Sequence, residues 1–248
     1  MSTIYILWLR QLKRHLRSRS RIIGSLGQPL LFLVALGFGF GPIYQQAGQG
    51  NYLQFLVPGI VAMSIIFTAM FSGIEVIWDR QFGFLKETLV APVSRVHIMI
   101  GRTLGGATVA TLQGVIVFLL SFLVGFRPAV WAYLPLAFLA MFLAAVIFTA
   151  LGTAIASFLE DMHGFQLIMN FLVMPLFFLS GALFPLKGLP KAISIIARAD
   201  PLSYGVDALR GTLAAHAYFG LGFDFLILSC LAVGLVAIGG YFFSKIQV

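Results

Sequence analysis

The sequence predicts an all-α membrane protein with six transmembrane helices, an N-terminal amphipathic interfacial helix, and a re-entrant outer helical hairpin between spans five and six. Two observations carry this fold class. Of the 248 residues, 60% are hydrophobic and only 10% are charged, whereas a soluble domain carries about 25% charged residues. The apolar residues also form continuous runs, not the polar–apolar alternation of a membrane barrel, so the spanning segments are expected to be helices.

Residues 1–21 form the first predicted unit, an amphipathic helix, and residues 22–248 form the transmembrane domain. The basic residues of the first unit recur every three or four positions, while its apolar residues fall on another side of the helix. The basic residues are Arg10, Lys13, Arg14, Arg17 and Arg21, and the apolar ones are Ile4, Trp8, Leu12 and Leu16. This pattern suits an anionic membrane interface. A cleaved signal peptide is the alternative, which the long basic segment and the early Pro29 disfavour.

The first apolar run must fold back on itself. No charged residue lies between Ile22 and Ile74, a stretch of 53 residues. One helix of that length would extend about 80 Å, against a hydrocarbon core of about 30 Å. Gly41-Pro42 and the polar stretch after it mark the turn. The six spans are predicted near 22–41, 54–76, 103–126, 133–158, 164–183 and 223–243.

The distribution of Lys and Arg predicts the orientation in the membrane. With the N-terminus inside, eleven basic residues lie on the inner side and five on the outer side. This bias favours a multi-pass protein of the cell (inner) membrane with both termini in the cytoplasm. The net charge of +8 is then a topology signal and a source of contacts with lipid headgroups, and no nucleic-acid partner is expected.

Two mixed polar and apolar segments stand out between the spans. The inner loop, 78–95, reads Trp-Asp-Arg-Gln-Phe-Gly-Phe-Leu-Lys-Glu-Thr-Leu-Val-Ala-Pro-Val-Ser-Arg. The outer segment reads Leu-Ser-Gly-Ala-Leu-Phe-Pro at 179–185 and Pro-Leu-Ser-Tyr-Gly-Val-Asp-Ala-Leu-Arg-Gly at 201–211. Together they resemble the type-2 ATP-binding-cassette (ABC) exporter permeases, most closely the drug-resistance-like branch. Asp200 and Arg102 depart from that pattern, in which Asn and Lys are expected.

The inner loop has the composition of a docking element. It offers apolar and aromatic anchors beside charged residues, a glycine that lets the backbone bend, and a proline that ends the following helix. The resemblance implies that residues 79–92 are a coupling helix held in a groove of an ATPase subunit. The coupling residues are Arg80, Phe82, Gly83, Phe84, Leu85, Lys86, Glu87, Leu89 and Pro92. Composition alone favours an ordinary interfacial loop, and the resemblance reverses that preference.

The outer segment, 184–222, is too long and too apolar for a simple loop, and two short helices dipping into the outer leaflet fit it. The resemblance implies a re-entrant hairpin that acts as an outer gate. The gate residues are Phe184, Pro185, Pro190, Pro201, Tyr204 and Arg210. A surface-lying helix without a gating role is the alternative.

A substrate path is expected between the second and fifth spans. Its predicted residues are Met63, Phe67, Met70 and Phe71 on the second span, and Gln166, Asn170 and Met174 on the fifth. Amides and Met/Phe stripes also serve helix packing, which is the alternative. Glu75, at the inner end of the second span, is expected to face a cavity, Arg80 or the interface, in a salt bridge or in contact with substrate.

The sequence carries no GxxxxGK[ST] phosphate loop and no HExxH metal motif, so we expect neither an enzyme nor a metal site in this chain. The resemblance implies two copies of a separate ABC ATPase that bind ATP and Mg, and a second, identical permease subunit in the lipid membrane. The expected function is outward movement of an amphipathic cargo: a drug-like compound, a lipid or a lipid-linked glycan. An ion-driven secondary transporter and a membrane scaffold are the alternatives.

Overall fold

A computed structural model describes residues 3–46, 51–84, 93–186, 188 and 190–244. The described residues form ten α-helices and no strand. They are α1 (Thr3–Arg17), α2 (Arg19–Gln46), α3 (Tyr52–Phe71), α4 (Ile74–Gln81), α5 (Arg95–Ser121), α6 (Leu134–Phe158), α7 (Met162–Leu179), α8 (Lys191–Ala199), α9 (Pro201–Ala214) and α10 (Leu221–Ser244). Short 3-10 turns at Phe122–Val124 and Trp131–Tyr133 flank the connection from α5 to α6.

Within the described part of the chain, six segments are long and apolar enough to cross a membrane: α2, α3 with α4, α5, α6, α7 and α10. The predicted all-α class with six membrane-spanning helices is thereby confirmed. The third segment begins at Arg95, so Gly101 and Arg102 lie inside a helix that starts before the predicted span at 103–126.

α3 is the central helix of the bundle. Along most of its length its side chains are buried, including Leu56, Ile60, Ile65 and Ile66. Most residues of α2, α7 and α10 are partly or fully exposed in the single chain. Their apolar outer faces are therefore available to lipid or to another membrane protein.

A turn at Ser72 and Gly73 separates α3 from α4. Gly73 lies against the backbone of Gly152 in α6, where an added Cβ would collide with the carbonyl of Gly152. The two glycines therefore allow the α3–α4 corner to approach α6 at backbone distance.

α1 lies along the first half of α5. Cβ atoms added at Gly101 and Gly105 would come within 3.0 Å of Leu7 Cβ and 2.7 Å of Gln11 Cβ. The indole of Trp8 donates a hydrogen bond to Thr108 Oγ1 at 3.0 Å. Gly101 and Gly105 thus let α1 pack closely against α5. We call this surface of α5 the glycine seat.

Candidate functional site

The end of the bundle formed by α1, α4, the start of α5 and the turn from α6 to α7 is rich in arginine; we call it the basic end. At its centre the carboxylate of Asp79 accepts hydrogen bonds from Arg10 Nη2 at 2.8 and 3.0 Å. Arg102 Nη2 binds the same carboxylate. Asp79 and Arg102 are 6% and 4% exposed. One buried acid therefore joins α4 to both α1 and α5.

A second acid forms a matching contact one helical turn away. Glu75 Oε1 lies 3.3 Å from Arg21 Nη1, and Glu75 Oε2 lies 3.7 Å from Arg14 Nη1. The guanidinium carbons of Arg14 and Arg21 also lie 5.2 and 5.6 Å, respectively, from the ring centre of Trp78. Glu75 therefore forms salt bridges, but with α1 and the start of α2, not with Arg80.

The two acids are four residues apart on α4, and Arg10 and Arg14 are four residues apart on α1. Because Arg10 meets Asp79 and Arg14 meets Glu75, the two helices present an antiparallel ladder of charges. The equal i, i+4 spacing was the signal in the sequence that could have revealed the pairing. Sequence reasoning assigned these arginines to the membrane interface and missed it.

The last turn of α4 is tied to the connection between α6 and α7. Arg80 donates to the carbonyls of Ser157 and Leu159 at 3.0 and 3.1 Å. Gln81 Nε2 donates to the carbonyl of Glu160 at 3.0 Å. These bonds satisfy carbonyls at the C-terminal end of α6, which have no partner within the helix. A displacement of α4 would therefore also displace the end of α6 and its connection to α7.

The beginning of the predicted coupling loop follows directly. Phe82 is 81% exposed and Phe84 is 37% exposed, and the guanidinium carbon of Arg10 lies 3.9 Å from the ring centre of Phe84. Between them Gly83 adopts φ +78°, a left-handed conformation that favours glycine. The other predicted coupling residues, Leu85, Lys86, Glu87, Leu89 and Pro92, lie outside the described residues.

At the opposite end, which we call the hairpin end, the segment 180–220 contains α8 and α9. Pro190 and Pro201 stand at the starts of these two helices, where a missing backbone N–H costs nothing. The predicted gate residues Phe184 and Pro185 are exposed, with 51% of Phe184 accessible. The hydroxyl of Tyr204 donates to the carbonyl of Arg198 at 2.7 Å, which fixes α9 to the end of α8.

Arg210 is buried at the hairpin end and binds backbone. It donates to the carbonyls of Gly181 at 3.0 Å and Phe55 at 3.4 Å, and its guanidinium lies 4.0 Å from the ring centre of Phe55. Burial lowers the pKa of Arg210 to about 10, against the opposing effect of Asp207, so the side chain stays charged at neutral pH. Arg210 therefore links α9 to α3 and to the end of α7.

Asp200 caps the N-terminus of α9. Its Oδ1 accepts a hydrogen bond from the backbone N–H of Leu202 at 2.8 Å, while Oδ2 has no hydrogen-bond partner among the described residues. Burial raises the pKa of Asp200 to about 7, opposed by the Leu202 hydrogen bond. An asparagine, expected at this position from the resemblance, could supply the same cap without a charge.

The predicted substrate-path residues occupy two separate places. Met63, Phe67 and Phe71 line a cavity of about 380 Å³ between α1, α2, α3, α4 and α5. Met70 does not line it; its backbone meets Gly152 of α6. The predicted residues of α7 do not line it either.

Gln166, Asn170 and Met174 of α7 lie on the exposed side of that helix, with 38% of Met174 accessible. The structure therefore separates the α3 and α7 parts of the predicted path within one chain. Among the described residues, no group of three His, Cys, Asp or Glu side chains could hold a metal ion.

Comparison with known proteins agrees with this architecture. The sequence model of the ABC-2 type transporter family matches residues 2–214. The chain is 28% identical to nodulation protein J of Rhizobium leguminosarum bv. trifolii, over 86% of this chain and 79% of that protein.

Two algal proteins that carry the name putative transport permease ycf38 are also similar. The protein of Cyanophora paradoxa is 30% identical over 76% of this chain and 66% of its own length. That of Pyropia yezoensis is 30% identical over 78% of this chain and 68% of its own length. With a family match across most of its length and six spanning helices, this chain belongs to the ABC-2 type transporter family and is the membrane subunit of an ABC transport system.

Proposed function

We propose that the chain is the permease subunit of an ATP-driven exporter, coupled to separate ATPase subunits, that moves an amphipathic cargo outward. The observation that carries the proposal is the set of contacts around α4. Asp79 joins α4 to α1 and α5, Arg80 joins it to the end of α6, and the exposed Phe82 follows at once. A partner bound at the loop would therefore act on four helices together.

The partner in this proposal is an ABC ATPase in two copies, docked on residues 79–92. Exposed aromatics beside charged residues are suitable anchors for such an interface. ATP and Mg bind the partner, and no cofactor binds this chain. The ATPase works in the cytosol, so the proposal places the basic end and both termini on the cytoplasmic side of the cell membrane, in line with the excess of basic residues there.

A second copy of the permease completes the proposed transporter. The amides of Gln166 and Asn170 lie on the exposed face of α7, within a segment apolar enough to span the membrane. Polar side chains in a spanning helix are costly in lipid and usually face another helix or a water-filled path. We therefore expect α7 of two subunits to face each other, with Met174 on the same face, and an amphipathic cargo to pass between them.

The segment with α8 and α9 is the proposed outer gate. Its start at Phe184 and Pro185 is exposed, whereas Tyr204 joins its two helices and Arg210 holds the second helix to the bundle. In this proposal the hairpin is re-entrant and dips into the outer leaflet. Its exposed start opens when the basic end changes conformation, while α9 stays in place.

The test is cargo-stimulated ATP hydrolysis by the permease and its ATPase reconstituted together. Glu87→Ala, in the predicted docking loop, should reduce the stimulation at least about tenfold, the loss expected for one interface anchor worth about 1.4 kcal/mol. Lys13→Ala, an exposed charge outside residues 79–92, is the matched control and should leave stimulation unchanged. Full coupling by Glu87→Ala would contradict the docking assignment. Ion-dependent uptake by the permease alone, without nucleotide, would instead support a secondary transporter.

A further inference from the structure

The cavity next to α1 has features that the coupling proposal does not use. It holds about 380 Å³ and is lined by residues of α1 to α5, a size at the small end of the range of about 300–1,000 Å³ typical of small-molecule sites. Gly24 and Gln28, on its α2 side, are exposed, so the cavity is open beside that helix.

The lining divides into an apolar part and a polar part. Pro29, Met63, Phe67 and Phe71 supply the apolar wall. The polar lining residues carry both hydrogen-bond donors and acceptors; they are Gln11, His15, Arg21, Ser25, Gln28, Ser64, Thr68, Ser72 and Glu75. Such a division suits an amphipathic ligand, with its polar end near Glu75 and Arg21.

Glu75 supplies an acceptor that the protein leaves partly unused. Its side chain is buried, with the residue 7% exposed, and among the described residues Oε2 accepts no hydrogen bond. The guanidinium of Arg14 lies 3.7 Å from Oε2, too far for a hydrogen bond. A buried carboxylate oxygen without a donor is costly, and a donor group on a ligand would satisfy it.

The charges around the cavity indicate what that donor is. Arg14 and Arg21 both pair with Glu75, so a cationic ligand would meet two like charges. An anionic ligand would meet Glu75 itself at the same place. Burial, helped by Arg21, lowers the pKa of His15, so His15 adds no charge at neutral pH. A neutral group with several hydroxyls can donate to Glu75 and accept from Arg21, Gln11 or Gln28.

We propose that this cavity binds a neutral amphipath whose polar end carries several hydroxyl groups, with one hydroxyl donating to Glu75 Oε2 and the apolar chain lying on Phe67 and Phe71. The inference rests on the proposed function only for the fate of the ligand, since a bound cargo would be exported. Binding itself requires neither nucleotide nor the ATPase.

The experiment measures binding to the full chain in lipid nanodiscs. The protein has three tryptophans, so Trp8→Phe with Trp131→Phe leaves Trp78, which lines the cavity, as the only tryptophan. Four probes share a decyl chain and differ in the head: decyl glucoside, its permethylated form, decyltrimethylammonium and decyl sulfate. We expect a saturable change in Trp78 fluorescence with decyl glucoside, and binding at least about tenfold weaker for the other three probes.

Variants locate the site. Phe67→Ala and Glu75→Gln should each weaken decyl glucoside binding about tenfold, while Ile238→Ala, an exposed side chain of α10, should not change it. If Glu75→Gln does not fold, decyl glucoside binding by Phe67→Ala and Gln28→Ala still tests whether the probe occupies the cavity. Equal affinity for the charged or permethylated probes, or unchanged affinity in Phe67→Ala, would overturn the inference. Export of the bound probe is measured separately with the ATPase, so loss of export with intact binding counts against the proposed function alone.

Discussion

The two ends of the bundle both bury arginine and aspartate but use them differently. At the basic end, Asp79 pairs with Arg10 and Arg102, and Glu75 pairs with Arg14 and Arg21. At the hairpin end, Arg210 binds the carbonyls of Gly181 and Phe55. There the carboxylate of Asp207 accepts from the backbone N–H groups of Tyr218 and Phe219 at 2.7–2.8 Å.

The difference indicates two mechanical roles. Charge-to-charge contacts between separate helices can exchange partners when a helix shifts, and they depend on both members being charged. Charge-to-backbone contacts hold a particular loop in place and do not depend on a second side chain. We therefore expect the basic end to change its contacts during transport and the hairpin end to hold α9 in place.

Asp79→Ala should have the largest effect. It leaves the buried Arg102 without its carboxylate, and loss of one member of a buried ion pair costs about 3–5 kcal/mol. Adding Arg102→Met should recover most of the unfolding temperature, because the unpaired charge is gone. Cargo-stimulated ATP hydrolysis should not recover, because Arg10 of α1 still has no carboxylate partner at position 79 of α4. Full recovery of coupling in the double variant would show that this ion pair only stabilises the fold.

Arg210→Met should cost about 2–3 kcal/mol, since two buried carbonyls lose a charged donor. The unfolding temperature should fall by about 5–10 °C for a chain of this size. The loss should be the same in low and high salt, because the partners are neutral. In contrast, the coupling energy between Arg10 and Asp79, measured by a double-mutant cycle, should fall with salt because Arg10 is partly exposed. A salt-dependent loss at Arg210 would remove the distinction between the two ends.

Asp200→Asn should leave the unfolding temperature unchanged at acidic pH and raise it at alkaline pH. The folded-state pKa of about 7 lies above the usual value, so the native protein loses stability as the pH rises from about 4 to about 7, and the loss then levels off. The asparagine keeps the cap without the buried charge. We expect equal unfolding temperatures near pH 4 and a higher unfolding temperature for the variant near pH 8. A gain of the same size at both pH values would rule out ionisation as its cause.

Gly105→Ala should have the smallest effect. The added methyl would lie 2.7 Å from Gln11 Cβ and Cγ, so the side chain of Gln11 or α1 itself must move, at a cost of about 1 kcal/mol. Gly24→Ala meets nothing within 4 Å and is the control, expected to be neutral or slightly stabilising. Proteolysis near residues 1–21 would report release of α1. Equal proteolysis of the two variants would count against the glycine seat.

The sequence predicted the all-α class and the six spans because hydrophobic run length is a local property. The four-residue spacing of Gly101 and Gly105 permits a close helix approach, but the sequence does not show that α1 is the helix that approaches. The pairing of Arg10 with Asp79 joins positions 69 residues apart, so local patterns could not establish it, although the matching i, i+4 spacing suggested it. Phe67 and Gln166 were predicted to share one path, yet only the folded chain shows that they lie on different sides.

The most direct test of the coupling hypothesis is the accessibility of position 82. Cys230 is the only cysteine, so Phe82→Cys with Cys230→Ser gives one reactive thiol in the inner loop. The hypothesis predicts that a membrane-impermeant maleimide labels the introduced thiol only from the cytosolic side, and that bound ATPase protects it. Labelling from outside intact cells, or equal labelling with and without the ATPase, would contradict the proposed docking site.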